Sequence, residues 1–201
     1  MYVADSILEC TDVKPTSVEI LAAFRRALRH HGASGATMER IAQEAGITRV
    51  TLHRRGITRE ALFVDLVQEA TEHYRAAMWP VLVADGPAAR RLAQALAVVC
   101  QCAEAELELL VALRARADAI FHEFGGDEPM TASVFAEPLE RILSDGVADG
   151  SIISRDPAEQ ATLLFNLVGW TYVHLRTGHN WAQERAQNGV IEIAMRGVTS
   201  S

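Results

Sequence analysis

Cysteine is scarce in the 201-residue sequence, and its spacing does not suggest a metal or disulfide site. The three cysteines, Cys10, Cys100 and Cys102, are an odd number and form no C-x-x-C motif. Residues two positions apart on a helix point to different faces, so Cys100 and Cys102 do not make a joint site there. We therefore expect buried or free thiols, with no disulfide framework, bound metal or cofactor.

Long hydrophobic runs and a basic secretory signal are also missing. No apolar stretch reaches the roughly 18 residues that a membrane-spanning helix needs, so we expect no membrane partner. The segment Met1–Lys14 contains Asp5, Glu9 and Asp12 where a secretory signal requires positive charge, which predicts a cytoplasmic protein. The composition, 49% hydrophobic and 22% charged residues, excludes a disordered or collagen-like chain.

The common catalytic signatures are absent as well. The sequence contains no G-x-S-x-G, no G-x-x-x-x-G-K-[ST] and no H-E-x-x-H motif, and no glycine-rich turn follows a strand. Seven histidines and 26 acidic residues leave open a site assembled only in three dimensions. With none of these motifs present, we do not expect an enzyme.

Positive charge is in deficit over the whole chain but not in its N-terminal part. The net charge at pH 7 is −7. From Lys14 to Arg59 there are nine basic and three acidic residues, a local balance of +6 that leaves −13 for the remainder. This distribution indicates a polyanion-binding unit carried by an acidic body. The alternative is that the arginines form only a solvated face.

Apolar residues recur at intervals of three and four along almost the whole chain, which predicts an all-α fold of about nine helices. The N-terminal helices have clear start and stop signals. We expect a capping box at Thr16–Glu19, a stop at Gly32, a second helix from Thr37 to Gly46, a third from Thr48 to Gly56, and a fourth from Thr58 to Trp79-Pro80.

The later helices are less sharply bounded. We expect helices near 88–103 and 105–123, a helix over 131–149 kinked at Pro138, a helix from Asp156-Pro157 to Gly178, and a last helix capped within 180–183 and ending near Gly197. The predicted organisation is a three-helix N-terminal domain at residues 14–60 and a helical C-terminal domain at residues 61–201.

The stretch from Ile41 to Arg54 has the pattern of a helix-turn-helix. An amphipathic helix ends at Gly46, whose freedom of φ permits a sharp exit, Ile47 fills the turn, and Thr48 caps a short second helix. That second helix exposes small polar and basic side chains of the kind that enter a DNA major groove. A purely structural helical hairpin does not need an exposed basic helix.

Further motifs flank this stretch over roughly residues 20–66. They are Ile20-Leu21-Ala22-Ala23, Gly32, Thr37-Met38, Ile41-Ala42, Ala45-Gly46-Ile47-Thr48, Thr51-Leu52 and Thr58-Arg59-Glu60-Ala61-Leu62. In combination they resemble the DNA-binding domain of the TetR family of bacterial transcriptional regulators. Beyond residue 66 the resemblance is one of architecture only. It implies a C-terminal domain that binds a small molecule and dimerises.

Three positions depart from the usual residues of that family. His53 stands where tyrosine is usual, Gly56 where phenylalanine is usual, and Arg59 where lysine is usual. Arg59 keeps the positive charge and His53 keeps a hydrogen-bond donor for a phosphate. Gly56 removes a core aromatic side chain, and Ile57 is placed to fill part of its volume.

Seven residues are candidates for DNA binding: Thr37, Thr48, Arg49, Thr51, His53, Arg54 and Arg59. Arg49 is the candidate for reading a guanine edge, because a guanidinium can bond both guanine acceptors. The three arginines of the first helix, Arg25, Arg26 and Arg29, are more typical of a solvated face than of phosphate contacts. Reading a palindromic operator requires a homodimer, and a double-stranded DNA operator is the expected partner.

The last two helices carry enough apolar groups for a four-helix dimer contact. The candidate interface residues are Ala161, Leu164, Phe165, Val168, Tyr172, Val190, Ile193 and Ala194. The sequence does not tell which of them face a partner and which face the core of the same chain.

Large side chains on the central helices are candidates for binding a small-molecule effector: Tyr74, Met78, Trp79, Phe121, His122, Phe124, Phe135 and Trp170. Pockets in helical bundles are mostly apolar with a few polar groups, which predicts a hydrophobic or amphipathic effector. Aromatic residues at helical spacing are more often core than ligand contacts.

Together these patterns predict a ligand-responsive repressor that binds a palindromic operator as a homodimer. The alternative is a helical dimer of the same scaffold that no longer reads DNA and serves as an interaction module. Binding by phosphate neutralisation weakens steeply with salt, whereas apolar association does not, so salt dependence separates the two.

Overall fold

The computed structural model describes residues 17–114 and 131–199, and these ranges form nine α-helices and one π-helical segment. The α-helices are α1 (Ser17–Gly35), α2 (Met38–Glu44), α3 (Arg49–Arg54), α4 (Arg59–Leu82), α5 (Ala88–Ala105), α6 (Leu107–Arg114), α7 (Glu137–Asp149), α8 (Pro157–Thr177) and α9 (Gln183–Arg196). The π-helical segment, Thr131–Ala136, leads directly into α7. The predicted all-α fold is confirmed. No described helix has both the length and the apolar character needed to cross a membrane.

Threonine side chains cap the starts of α2, α3 and α4, as the sequence predicts. The hydroxyls of Thr37, Thr48 and Thr58 each accept the backbone N–H three residues further on, at 3.4, 3.2 and 3.1 Å. Each such bond satisfies a donor that a helix start leaves free, an effect of typically about 1 kcal/mol. Gly32, with φ 67°, interrupts α1 at the predicted stop. Local chemistry therefore fixes the geometry of this N-terminal unit.

We call residues 17–66 the head and the other described residues the body. The core of the head is built around Phe24 and Phe63, whose rings meet edge to face with centroids 4.8 Å apart. Leu52 of α3 is completely buried in the same core. Leu109 and Leu113 of α6 also pack into it, so the body contributes part of the packing that holds the head.

Helix α4 is shared between head and body. Its Leu66 lies in the head core, whereas Tyr74, two turns further along, lies in the body core. The predicted end at Trp79-Pro80 is wrong, because α4 continues to Leu82. Pro80 falls in the last turn, where its missing N–H removes one backbone hydrogen bond and little helix follows to be disrupted.

The starts of the later helices agree with the sequence only in part. Asp156 caps α8 as predicted, accepting the N–H groups two and three residues further on at 3.1 and 3.0 Å. The π-helical segment and α7 together cover the helix predicted over 131–149, and the change from π to α geometry falls directly before Pro138, which lies in the first turn of α7. The predicted side-chain cap of the last helix is wrong, because α9 starts after Ala182 without one. The second half of the helix predicted over 105–123 lies outside the described residues.

Part-buried polar contacts hold the body helices in place. Arg176 of α8 binds Glu104 of α5 through Nε at 2.8 Å and Nη2 at 2.7 Å, and the Tyr172 hydroxyl donates to the same carboxylate at 2.6 Å. Hydrogen bonds from Arg176 are the main reason that the pKa of Glu104 is lowered. Asp149, at the end of α7, accepts the Ala88 N–H at 2.9 Å and so caps α5 from outside.

Candidate nucleic-acid interface and internal cavity

The turn before α3 has the geometry predicted for a helix-turn-helix. Gly46 has φ 66°, and the Ile47 N–H donates to the Ala42 carbonyl at 2.9 Å. Ile47 is half-buried against the head core, and Ala42 is buried beneath it. The buried Leu52 anchors α3 from below, which leaves its other side chains on the protein surface.

Arg49 is the first residue of α3, and its side chain is 68% exposed. Its Nη1 lies 2.7 Å from Oε1 of Glu39, an exposed residue in the first turn of α2. A hydrogen bond from its own backbone N–H, and then the charge of Arg49, lower the pKa of Glu39. The candidate guanine-reading group is thus paired with a carboxylate that is itself on the surface.

The remaining surface of α3 carries basic and apolar groups. His53 and Arg54 are exposed, and the side chain of neither forms a hydrogen bond or ion pair with another of the described residues. Val50 is 66% exposed, unusually open for a β-branched apolar side chain. The sequence pattern does not single out Val50, because an apolar residue on a short helix looks like a core residue. The one feature of the sequence that could have indicated Val50 as a DNA contact is its position beside Arg49 in the first turn of α3.

The other four candidate DNA-binding residues make contacts within the head. Arg59 donates to the Ala33 carbonyl in the last part of α1, and its guanidinium lies over the Phe63 ring, 5.2 Å from the centroid. Thr37 and Thr48 use their hydroxyls as helix caps. Thr51 is half-buried, with its hydroxyl 3.0 Å from that of Thr48.

The arginines of α1 pair with glutamates of neighbouring helices. Arg26 binds the Glu44 side chain at 3.1 Å and its carbonyl at 2.6 Å. His30 contacts the other oxygen of that carboxylate at 2.9 Å. Arg29 lies 3.9 Å from Glu108. Acidic residues therefore compensate part of the positive charge of the head, and these ion pairs link α1 to α2 and α6.

Gly56 does not leave a hole in the core. It has φ 68°, and a Cβ placed on it would have no heavy atom within 4 Å. The Cβ direction at residue 56 therefore faces open space, and its φ is one that residues with a side chain rarely adopt. Ile57 is half-buried against the head core, and its N–H donates to the Leu52 carbonyl at 3.1 Å.

A cavity of about 270 Å³ lies where α4, α5, α6, the π-helical segment and α8 meet. Its walls are mostly apolar and include an aromatic group formed by Tyr74, Phe135 and Phe165, in which the Phe135 and Phe165 rings stack with centroids 5.3 Å apart. The Tyr74 hydroxyl donates to the Phe135 carbonyl at 2.9 Å and is thereby occupied. This volume suits a small molecule.

Three polar residues of the cavity wall were not among the candidates from sequence. They are Cys102, Glu106 and Asn166. Burial raises the pKa of the Cys102 thiol to about 11, which makes it a poor nucleophile. Cys100 is buried beside the cavity wall, as expected of an inert thiol, and Cys10 lies outside the described residues. A polar residue on an apolar helix was the only available signal for Asn166.

The structure gathers some of the predicted ligand residues and separates others. Tyr74, Phe135 and Trp170 line the cavity. Met78 is completely buried in the body core, and Trp79, on the outer face of α4, is 62% exposed, so neither reaches the cavity wall. The remaining three candidates, Phe121, His122 and Phe124, lie outside the described residues.

Most of the predicted dimer residues belong to the core of their own chain. Buried residues in this set are Ala161, Leu164, Val168, Tyr172, Val190 and Ala194. Phe165 lines the cavity, and only Ile193 is exposed, at 71%. The correction has a physical reason: α8 is apolar on several faces, and its outer face carries Leu163 and Leu167, which are 61% and 53% exposed.

The head and body together define a helix-turn-helix protein with a helical body that contains a cavity. Comparison with known proteins places it more narrowly. Residues 20–66 match the sequence profile of the bacterial regulatory proteins of the tetR family. The head is therefore a TetR-family domain, and the described chain has the fold of these transcriptional regulators.

Solved structures of such regulators superpose on almost the whole chain. The ketosteroid transcriptional regulator of Mycobacterium tuberculosis has a TM-score of 0.67 at 15% identity, covering 94% of this chain and 98% of its own. A TetR/AcrR-family regulator from Thermobifida fusca has a TM-score of 0.64 at 16% identity, covering 90% and 96%. A transcriptional regulator from Cytophaga hutchinsonii has a TM-score of 0.61 at 15% identity, covering 90% and 97%. No curated protein resembles the chain closely enough to count as a relative.

Proposed function

We propose that the chain is a ligand-responsive repressor that binds a palindromic DNA operator as a homodimer. The observation that carries this proposal is α3, a short helix seated on a buried leucine that exposes Arg49, His53 and Arg54. A helix with this chemistry at its surface fits the major groove. Such a regulator acts in the cytoplasm, where the DNA of a bacterium lies.

In this proposal different residues of α3 bind different parts of the DNA. Arg49 leaves Glu39 and bonds the O6 and N7 atoms of a guanine, while Thr48 and Thr51 approach the backbone or a base edge. His53, Arg54 and the helix start at Thr37 contact phosphates. Arg59 acts indirectly, because its bond to Ala33 fixes α4 against the end of α1.

The dimer interface is proposed to lie on the outer faces of α8 and α9. Leu163 and Leu167 stand one turn apart on α8. Since α8 and α9 are joined by only five residues, 178–182, they run antiparallel, and Ile193 lies at the level of Leu167. An exposed apolar patch of this kind marks an association surface. The two-fold axis then places two heads side by side, with half-sites about 34–36 Å apart or somewhat more.

The effector is proposed to bind in the cavity and to act on the heads through α4 and α6. Val67 and Tyr74 of α4 line the cavity, and α4 continues directly into the head. Leu109 and Leu113 of α6 line the cavity and also pack in the head core. A ligand that shifts these helices changes the separation of the heads, provided that it binds the two arrangements with different affinity.

Selection of bound duplexes from a random DNA pool by the purified protein tests this function. The expected result is a palindromic sequence enriched in two equivalent halves. A folded dimer that enriches no sequence at low salt contradicts the proposal. That result would favour the alternative, an interaction module that does not read DNA. The pairing of Arg49 with Glu39 and the net charge of −7 would then explain why the protein does not bind DNA.

On the selected duplex, Arg49→Ala is expected to weaken binding and to relax the preference for guanine at one position of each half-site. A bidentate guanine contact contributes about 1–3 kcal/mol of discrimination. Arg141→Ala is the matched control, because Arg141 is likewise exposed but lies on α7 in the body, and its removal is expected to leave binding unchanged. Equal losses in the two variants would show that Arg49 contributes only its charge.

Val50 is expected to contact the methyl group of a thymine. Its side chain is exposed in the first turn of α3, where base contacts concentrate, and apolar groups recognise the thymine C5-methyl. Replacing that thymine by uracil is expected to lower the affinity of the wild type about fourfold, as the loss of one buried methyl implies. Val50→Ala is expected to show little difference between the two duplexes. If uracil has no effect at any operator position, Val50 makes no such contact.

A further inference from the structure

Glu106 is the one charged side chain among the described residues that line the cavity. It lies at the junction of α5 and α6, and only 9% of the residue is exposed. Taking a carboxylate out of water is costly unless it is paired and hydrogen-bonded. A carboxylate in the wall of an apolar cavity is therefore stable only when a cationic group pairs with it.

The partner of Glu106 is Arg25, which comes from α1 of the head. Arg25 Nη1 binds Oε2 of Glu106, and Arg25 Nη2 also lies 3.3 Å from Oε2 of Glu69 on α4. One guanidinium thus serves two carboxylates, and the group of three carries a net charge of −1. The other oxygen of Glu106, Oε1, accepts no hydrogen bond from the described part of the chain.

We propose that the cavity binds an apolar molecule with a single cationic amino group, which forms an ion pair with Glu106. The inference rests on the effector site proposed above and specifies its ligand class. A protonated amine gives Glu106 a cationic partner that it does not share with the exposed Glu69, and it donates to Oε1. Both gains are larger in an apolar site than in water. The apolar part of the ligand packs against Phe135, Phe165 and Trp170.

The same contact gives the ligand a route to the head. Arg25 is a residue of α1, so its bond to Glu106 ties the head to the α5–α6 junction. An amine at Glu106 competes with Arg25 for the carboxylate and weakens that tie. If the amine and Arg25 compete for Glu106, removing Arg25 strengthens amine binding. If Arg25 has a purely structural role, removing Arg25 weakens amine binding.

Binding of tryptamine and tryptophol to the purified full chain at pH 7 tests the proposal. The two probes share an indole ring and a two-carbon arm and differ only in a cationic amine against a neutral hydroxyl. Tryptamine is expected to bind the wild type at least about tenfold more tightly, which is the scale of a charge-assisted hydrogen bond. Equal binding of the two probes, tighter binding of tryptophol, or no binding of either overturns the proposal.

Three substitutions test whether the preference for tryptamine depends on the Glu106 carboxylate. Glu106→Gln is expected to abolish the preference for tryptamine and to leave tryptophol binding unchanged, while Arg25→Gln is expected to raise tryptamine affinity several-fold. Glu108→Gln is the matched control, because Glu108 is two residues away and faces Arg29 outside the cavity. A preference that survives Glu106→Gln, or tryptamine binding weakened by Arg25→Gln, contradicts the ion pair. If Glu106→Gln does not fold, the affinities of tryptamine and tryptophol for the wild type and for Arg25→Gln still test the ion pair. Equal binding of both probes would leave DNA reading and the effector cavity standing.

Discussion

Replacing both Leu163 and Leu167 by glutamate is expected to convert the proposed dimer into a monomer and to lower operator affinity at least about a hundredfold. The two leucines are 61% and 53% exposed in the single chain, and a dimer contact on α8 would bury them. Four carboxylates facing one another across a two-fold axis would prevent association. The loss of affinity follows because two linked binding units exceed one by about 10²–10⁴ in avidity. Light scattering gives the mass, and titration of the selected duplex gives the affinity.

The control for this prediction is Val83→Glu. Val83 is 59% exposed at the end of α4, away from α8 and α9, so the same change of chemistry is expected to leave the dimer intact. A dimer that persists when both leucines are replaced would place the interface elsewhere. A monomer that keeps full operator affinity would remove the reason for proposing a dimer.

Gly146→Ala is expected to be the most destabilising small substitution in the body, at about 1–3 kcal/mol of unfolding free energy. Gly146 lies inside α7 and is buried, and its carbonyl accepts the Ile152 N–H at 3.0 Å. A Cβ at this position would lie 2.8 Å from Cβ of Ile152, closer than such atoms approach in proteins. Because Ile152 is itself buried and branched at Cβ, the clash cannot be relieved by a side-chain rotation alone.

Val147→Ala is the matched control, since Val147 is the next residue of α7 and is 45% exposed. It is expected to change stability by less than about 0.5 kcal/mol, as surface substitutions usually do. Ile152→Ala removes the Cγ1 and Cδ1 atoms that a Cβ at position 146 would also meet. The double variant Gly146→Ala/Ile152→Ala is therefore expected to lose less stability than the sum of the two single losses, which a double-mutant cycle in urea would measure. A stable Gly146→Ala protein would mean that α7 and the following loop can separate freely.

The sequence was most informative where the structure depends on neighbouring residues. The caps at Thr37, Thr48 and Thr58 follow from a hydroxyl meeting the N–H three residues further on, and the turn at Gly46 follows from its φ. Both are local, and both are confirmed. The continuation of α4 through Pro80 depends instead on the packing of the whole helix, which no short pattern encodes.

The body sites were harder to predict because they depend on which face of a helix meets another helix. On α8, Leu163 and Leu164 are adjacent leucines, but one is 61% exposed and the other is 4% exposed. Apolar residues on several faces give no unique periodicity, so core and surface are not distinguished. The pairing of Glu106 with Arg25 joins residues 81 positions apart and has no signal in the sequence.

The salt dependence of binding to the selected duplex tests the central claim most directly, because reading DNA through basic side chains releases counterions from the phosphates. For a dimer with several phosphate contacts on each head, the account predicts an affinity loss of about a thousandfold or more between roughly 50 and 200 mM salt. Arg54→Ala, which removes one exposed cation per head, is expected to make that dependence measurably shallower. An affinity that stays constant over this range would contradict the claim that α3 binds DNA.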